Sequence, residues 1–118
     1  MSVIEGVLEE EIERLIYHID GYKKMLLSLP SGSLFVRKMG NSSFAYLKRR
    51  ENGKVVSVYL GNVEDENVQK QIALNKDYKM IRNSIRVASD ELSTLRKAFK
   101  AYERRRKRKA SKGNNSDI

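Results

Sequence analysis

The chain contains no cysteine and no tryptophan, and only one proline and one histidine. Without cysteine there is no disulfide framework and no thiolate metal site, and nothing points to an oxidising compartment. A cytoplasmic location is expected. His18 has no second histidine and no cysteine to act as a co-ligand, so it reads as a helix-surface residue and no metal site is expected. No stretch approaches the ~20 apolar residues of a membrane-spanning helix. The first thirteen residues are acidic and amphipathic, unlike a secretory leader. No membrane partner is expected. Neither a Walker-type loop nor a GxGxxG motif is present. Glu9, Glu10, Glu11 and Glu13 read as a solvated helix face rather than as a catalytic carboxylate pair. A non-enzymatic protein without a cofactor is the expectation.

What is present is charge and periodicity. The 118 residues are 40% apolar and 33% charged, enough for one domain with long solvated helices. The formal net charge is +9. Residues 96–112 hold ten Lys or Arg against a single acid, Glu103, a local excess equal to that of the whole chain. Residues 33–60 form a second basic region.

Ser2 followed by Glu5 is a capping box, which starts a helix. Leu8, Ile12, Leu15, Ile19, Tyr22, Leu26 and Leu29 then alternate by four and three, one narrow helical stripe. Pro30, Ser31 and Gly32 end it, since proline lacks a donor and restricts the residue before it. The first helix is expected over residues 2–29. From residue 33 the period becomes two, punctuated by Gly40-Asn41 and by Asn52-Gly53, a strong hairpin signal. Strands are expected at 33–39, 43–50 and 54–60. Counting outward from the turns places Val36 opposite Ala45, Leu34 opposite Leu47, Arg49 opposite Val56, Leu47 opposite Val58 and Ala45 opposite Leu60. Alternation sends Leu34, Val36, Ala45, Leu47, Val56, Val58 and Leu60 to one face, the one expected to pack on helices. The other face carries Phe35, Arg37, Met39, Phe44, Tyr46, Lys48, Arg50, Val55, Ser57 and Tyr59.

Asn62, with Glu64, Asp65 and Glu66 after it, reads as the N-cap of a second helix. Its stripe is Leu74, Tyr78, Ile81, Ile85, Ala88, Leu92, Leu95, Phe99 and Tyr102, and it is expected over 63–109 with a disordered tail at 113–118. The fold class is α+β: helix, three-stranded antiparallel meander, and a long helix packed antiparallel on the first, all in one domain of residues 1–112. At 1.5 Å per residue the two helices would span about 42 and 70 Å. The first is therefore expected to run out opposite about residue 90, leaving Leu92, Leu95, Phe99 and Tyr102 for a homodimer or protein partner.

The run from Leu29-Pro30-Ser31-Gly32-Ser33-Leu34 through Arg50-Glu51-Asn52-Gly53-Lys54 to Ser57-Val58-Tyr59-Leu60-Gly61 resembles a family of small uncharacterised proteins of clostridia-like bacteria and their phages. Three strands followed by a helix are also similar in outline to the arm-type DNA-binding domain of tyrosine recombinases, which implies DNA contact on the sheet face. The residues themselves point the same way. Arg104, Arg105, Arg106, Lys107, Arg108 and Lys109 on one helix end suit phosphate neutralisation. Arg37, Lys48 and Arg50 among Tyr46 and Tyr59 suit base or phosphate contact from a sheet. The expected function is that of a nucleic-acid-binding accessory protein of phage or mobile-element type, using the C-terminal basic helix first and the aromatic and basic sheet face second, with DNA ranked before RNA. The alternative is a small protein-binding inhibitor or adaptor acting on a larger nucleoprotein complex, such as a phage anti-defence protein.

Overall fold

A computed structural model of the chain describes residues 2–116, the last seven of these by their backbone alone. The elements follow the order α1 Val3–Leu26, β1 Ser33–Met39, β2 Ser42–Glu51, β3 Lys54–Asn62 and α2 Glu66–Ser116. The α+β class and the helix, meander, long-helix order are as the sequence predicts. α2 continues past the expected end near 109 into the segment expected as a tail, of which residues 117 and 118 lie outside the described residues. Packing divides the chain into two compact units. One is helical, residues 1–21 with 85–118, and the other holds the sheet, residues 22–84.

In the sheet unit the strands lie in the order β1-β2-β3, all antiparallel. Asn52, at φ 51°, and Gly53, at φ 80°, form the two-residue turn that pairs Glu51 with Lys54. The β1–β2 register is the expected one, Val36 opposite Ala45 and Leu34 opposite Leu47. Between β2 and β3 the expectation holds from Glu51 to Tyr46 and then slips. Tyr46 pairs with Tyr59 but Ala45 pairs with Gly61, so Leu60 is an extra, bulged residue and not the partner of Ala45. Gly61 sits at φ 133°, and a Cβ there would lie 3.0 Å from Cγ2 of Val68. A glycine at that point lets the first turn of α2 close onto the sheet.

On the inward face Ala45 and Leu47 are buried, and Val68 of α2 is buried in the same unit. Val36, expected on that face, is exposed, at the middle of the edge strand β1. α2 starts later than expected. Asn62 does not cap the helix; its Oδ1 accepts from Glu64 N at 2.9 Å, a local turn. Asp65 is the cap, its Oδ1 accepting from Asn67 N at 2.8 Å while its carbonyl oxygen accepts from Gln69 N. Leu74, expected on the buried stripe, is exposed, and the neighbouring Asn75 is buried instead. The Asn75 amide donates to the carbonyl oxygens of Pro30, at 3.1 Å, and Gly32, at 3.0 Å.

In the helical unit α1 and α2 pack antiparallel through Leu15, Ile19, Ala88 and Leu92, with Ile12, Ile16, Ile85 and Leu95 around them. This corrects the expectation that α1 runs out opposite residue 90. Ile12, Leu15, Ile16 and Ile19 pack with Ile85, Ala88, Leu92 and Leu95, and Glu5 near the start of α1 lies beside Arg106. Leu92 is buried, and Leu95, Phe99 and Tyr102 are half-buried within the same chain. The stretch from Leu92 to Tyr102 is thus partly covered within the chain, and Leu95, Phe99 and Tyr102 keep some exposed surface.

Truncating Leu92→Ala removes a side chain from the centre of this cluster and should lower unfolding free energy by about 2–5 kcal/mol. The same change at exposed Leu74 should cost under about 1 kcal/mol. Urea melts of the two variants decide it: similar losses would place Leu74 in the core.

Candidate nucleic-acid interface

The outward face of the sheet is built by strict alternation. Residues 44, 46, 48 and 50 of β2 share it with Phe35 and Arg37 of β1 and with Val55 and Tyr59 of β3. Cross-strand pairing turns the aromatic side chains into a ladder. Phe35 stacks on Tyr46 with centroids 5.0 Å apart and planes 13° from parallel. Tyr46 meets Tyr59 at 5.3 Å, and Tyr59 meets Phe44 at 6.3 Å. Such pairs stiffen a sheet by themselves. They also consume ring surface. Phe35, Phe44 and Tyr46 are half-buried, whereas Tyr59 is 57% exposed and is the ring of this ladder most open to a ligand.

Cations rim the ladder. The Lys48 ammonium lies 4.8 Å from the Phe35 centroid, a cation–π contact that keeps it on the face. Arg37 and Arg50 are exposed, and among the described residues no carboxylate pairs with either of them or with Lys48. Arg49, one residue along and therefore on the opposite face, is paired with Glu51 at 2.6 Å. The strand thus neutralises its inward-side cation and leaves its outward ones open. Arg37, Tyr46, Lys48, Arg50 and Tyr59, all expected as site residues, do share one surface.

The other expected basic surface belongs to the helical unit. Arg104, Arg105, Arg106, Lys107, Arg108 and Lys109 are exposed along α2. Arg106 differs from its neighbours. Its Nη1 lies 3.6 Å from Oε2 of Glu5, whose carboxylate is almost completely buried. Glu5 N donates to Ser2 Oγ at 3.1 Å, as the capping box predicts, and the Ser2 hydroxyl donates to Glu5 Oε1 at 3.5 Å. Oε2 has no hydrogen-bond partner among the described residues. Glu5 precedes Leu8, Ile12 and Leu15 at the stripe's own spacing, which is why the helix carries it inward; reading it only as a cap missed this. Arg106 is therefore engaged inside the unit, while the other five face solvent. Elsewhere on α1, Glu11 and Arg14 form a surface pair in which the guanidinium's hydrogen bonds hold the Glu11 carboxyl below its ordinary range. This agrees with the solvated role read for that acidic face.

Arg106→Ala should leave the Glu5 carboxylate buried without a cation and cost about 1–3 kcal/mol. Arg108→Ala, with no such partner, should stay within about 0.5 kcal/mol of the parent. Chemical denaturation separates the two; equal effects would mean that the Glu5–Arg106 contact contributes nothing.

Among the described residues no helix is long and apolar enough to cross a membrane. Compared with known proteins, residues 4–70 match the family described as a domain of unknown function, DUF6788. That span contains α1, the whole sheet and the first turns of α2, and it ends before the basic run of 104–109. No curated protein and no solved structure matches the chain.

Proposed function

We propose that this chain, which belongs to the DUF6788 family, binds nucleic acid on the outward face of its sheet, with the exposed cations of residues 104–109 as a second contact indifferent to sequence. The observation that carries the reading is the sorting of charge across β2. Arg49 is neutralised by Glu51 on one side, while Lys48 and Arg50 have no carboxylate partner among the described residues and lie on the other side beside an aromatic ladder. Unpaired cations on a stiff surface lose little conformational freedom when they meet phosphates, and their counterions are released on binding. Tyr59 offers the ring on which an unpaired base can stack. The ladder gives rigidity and the rim gives charge. The sheet ranks above the basic helix as the principal surface because it lies within the family-matched residues. The helix cations, apart from Arg106, add electrostatic affinity alone.

The test is fluorescence anisotropy with labelled single-stranded and duplex oligonucleotides across a salt series. Binding should weaken as salt rises, with a log–log slope near −0.7 to −0.9 per phosphate contact. Arg37→Ala and Arg50→Ala should each flatten that slope by about one contact and weaken all sequences alike, whereas Arg49→Ala should not. An oligonucleotide that fails to bind at about 50 mM salt, or a slope indifferent to the Arg37 and Arg50 changes, removes the sheet from the proposal.

A further inference from the structure

The end of the sheet at which β1 begins holds a cleft of about 420 Å³. Its existence follows from the register. β1 starts at Ser33 opposite Lys48, so Arg49 and Arg50 continue β2 with no β1 residue beside them, and that edge of the strand is open. The chain arrives there through residues 31–33, which form one wall. Gly32 makes the close approach possible: it sits at φ 108°, and a Cβ there would lie 2.5 Å from the Lys48 carbonyl oxygen. Asn75 holds this wall from behind through its two bonds to the Pro30 and Gly32 carbonyl oxygens. Tyr78 and Arg82, one helical turn apart on α2, form the opposite wall.

The lining is cationic. Lys48, Arg50 and Arg82 have no carboxylate partner among the described residues, and the lining contains no acidic residue, though its Arg49 is paired with Glu51. Arg50 and Arg82 line this concavity with the hydroxyl-bearing Ser31, Ser33 and Tyr78, while Lys48, also in the lining, keeps its ammonium over the Phe35 ring. A concave low-dielectric wall concentrates such a field, and guanidinium forks match the oxygens of a phosphate. Val55 is the one aliphatic side chain in the lining, which gives an acyl chain little to bind. The volume lies within the range of small-ligand sites, about 300–1,000 Å³, so a phosphate and part of its sugar can enter. Lys48 and Arg50 belong both to the outward face and to the cleft, which makes the two surfaces continuous.

We propose that this cleft seats a backbone phosphate of a nucleic-acid strand, the strand passing from the aromatic face over the open end of β2 to Arg82. The proposal rests on the nucleic-acid reading of that face and adds Arg82 and Tyr78, neither of which lies on the sheet. Arg82 is exposed, so replacing it should leave the fold intact. Two probes separate the two claims: inorganic phosphate followed by amide and arginine Nε NMR signals, and a single-stranded oligonucleotide followed by anisotropy. Phosphate should shift the signals of residues 31–33 and of Arg50 and Arg82 saturably, and Arg82→Glu should abolish this while Tyr59→Ala does not. The oligonucleotide should bind Arg82→Glu about tenfold more weakly, with a shallower salt slope. Arg82→Gln should show the same trend in milder form if charge reversal perturbs the helix. Parent-like oligonucleotide affinity and slope in both variants, with binding still lost when Arg37 and Arg50 are changed, would overturn the cleft and leave the face standing. Phosphate shifts that persist unchanged in Arg82→Glu would overturn it too. No oligonucleotide binding by the parent would remove both together.

Discussion

Two hydrogen bonds from one buried amide organise the sheet unit. Asn75 donates to the Pro30 and Gly32 carbonyl oxygens, two backbone acceptors that the end of α1 and the start of β1 leave without a ladder partner. A buried polar side chain is stable only when its bonds are made, so the segment from Pro30 to Gly32 must lie where Asn75 can reach it. That position is compatible with the register that the Gly40-Asn41 turn already sets, Ser33 opposite Lys48, and holds the entry to β1 in place. The register in turn decides which cations share the outward face and which strand edge stays open. The Asn75 bonds add support to the end of the sheet at which the site's open strand edge lies.

Charge on β2 is divided by the pleat. Side chains two apart on a strand lie on the same face, so Arg49 finds Glu51 on its side, while Lys48 and Arg50 find aromatic rings and solvent on theirs. A solvated ion pair such as Arg49–Glu51 contributes little stability, roughly 0–1 kcal/mol. Its greater effect is to leave the net positive field on the other face. The bulge at Leu60 refines that face by keeping Tyr59 opposite Tyr46 while Gly61 yields to Val68.

In the helical unit the alignment of α1 and α2 is set by an apolar cluster at one level and by Glu5 and Arg106 at another. A carboxylate carried inward by helical spacing is costly unless a cation meets it. The basic run supplies that cation. One of its six members is thereby drawn from the solvated arm into the packing of the unit, and the remainder stay open.

The amino-acid pattern alone determined the element order, both hairpins, the β1–β2 register and the membership of the outward face. Each of these rests on local geometry: the two-residue period of a strand, the left-handed preference of Asn-Gly, and the interruption at Pro30. The helical stripes were legible for the same reason from Leu8 to Ile19 and from Ile85 to Leu92. Tertiary structure decided the rest. Which stretch of α2 meets α1, whether Leu74 or Asn75 turns inward, where β3 bulges, and that Arg82 lines a cleft with Lys48 depend on contacts between residues far apart in the chain. A heptad stripe specifies a face but not the partner that covers it. Several alignments of two such stripes bury similar apolar area, and local spacing cannot choose among them. The choice falls to close fits and buried polar bonds, such as Gly61 against Val68 and Asn75 to Pro30, which arise only once the chain has folded.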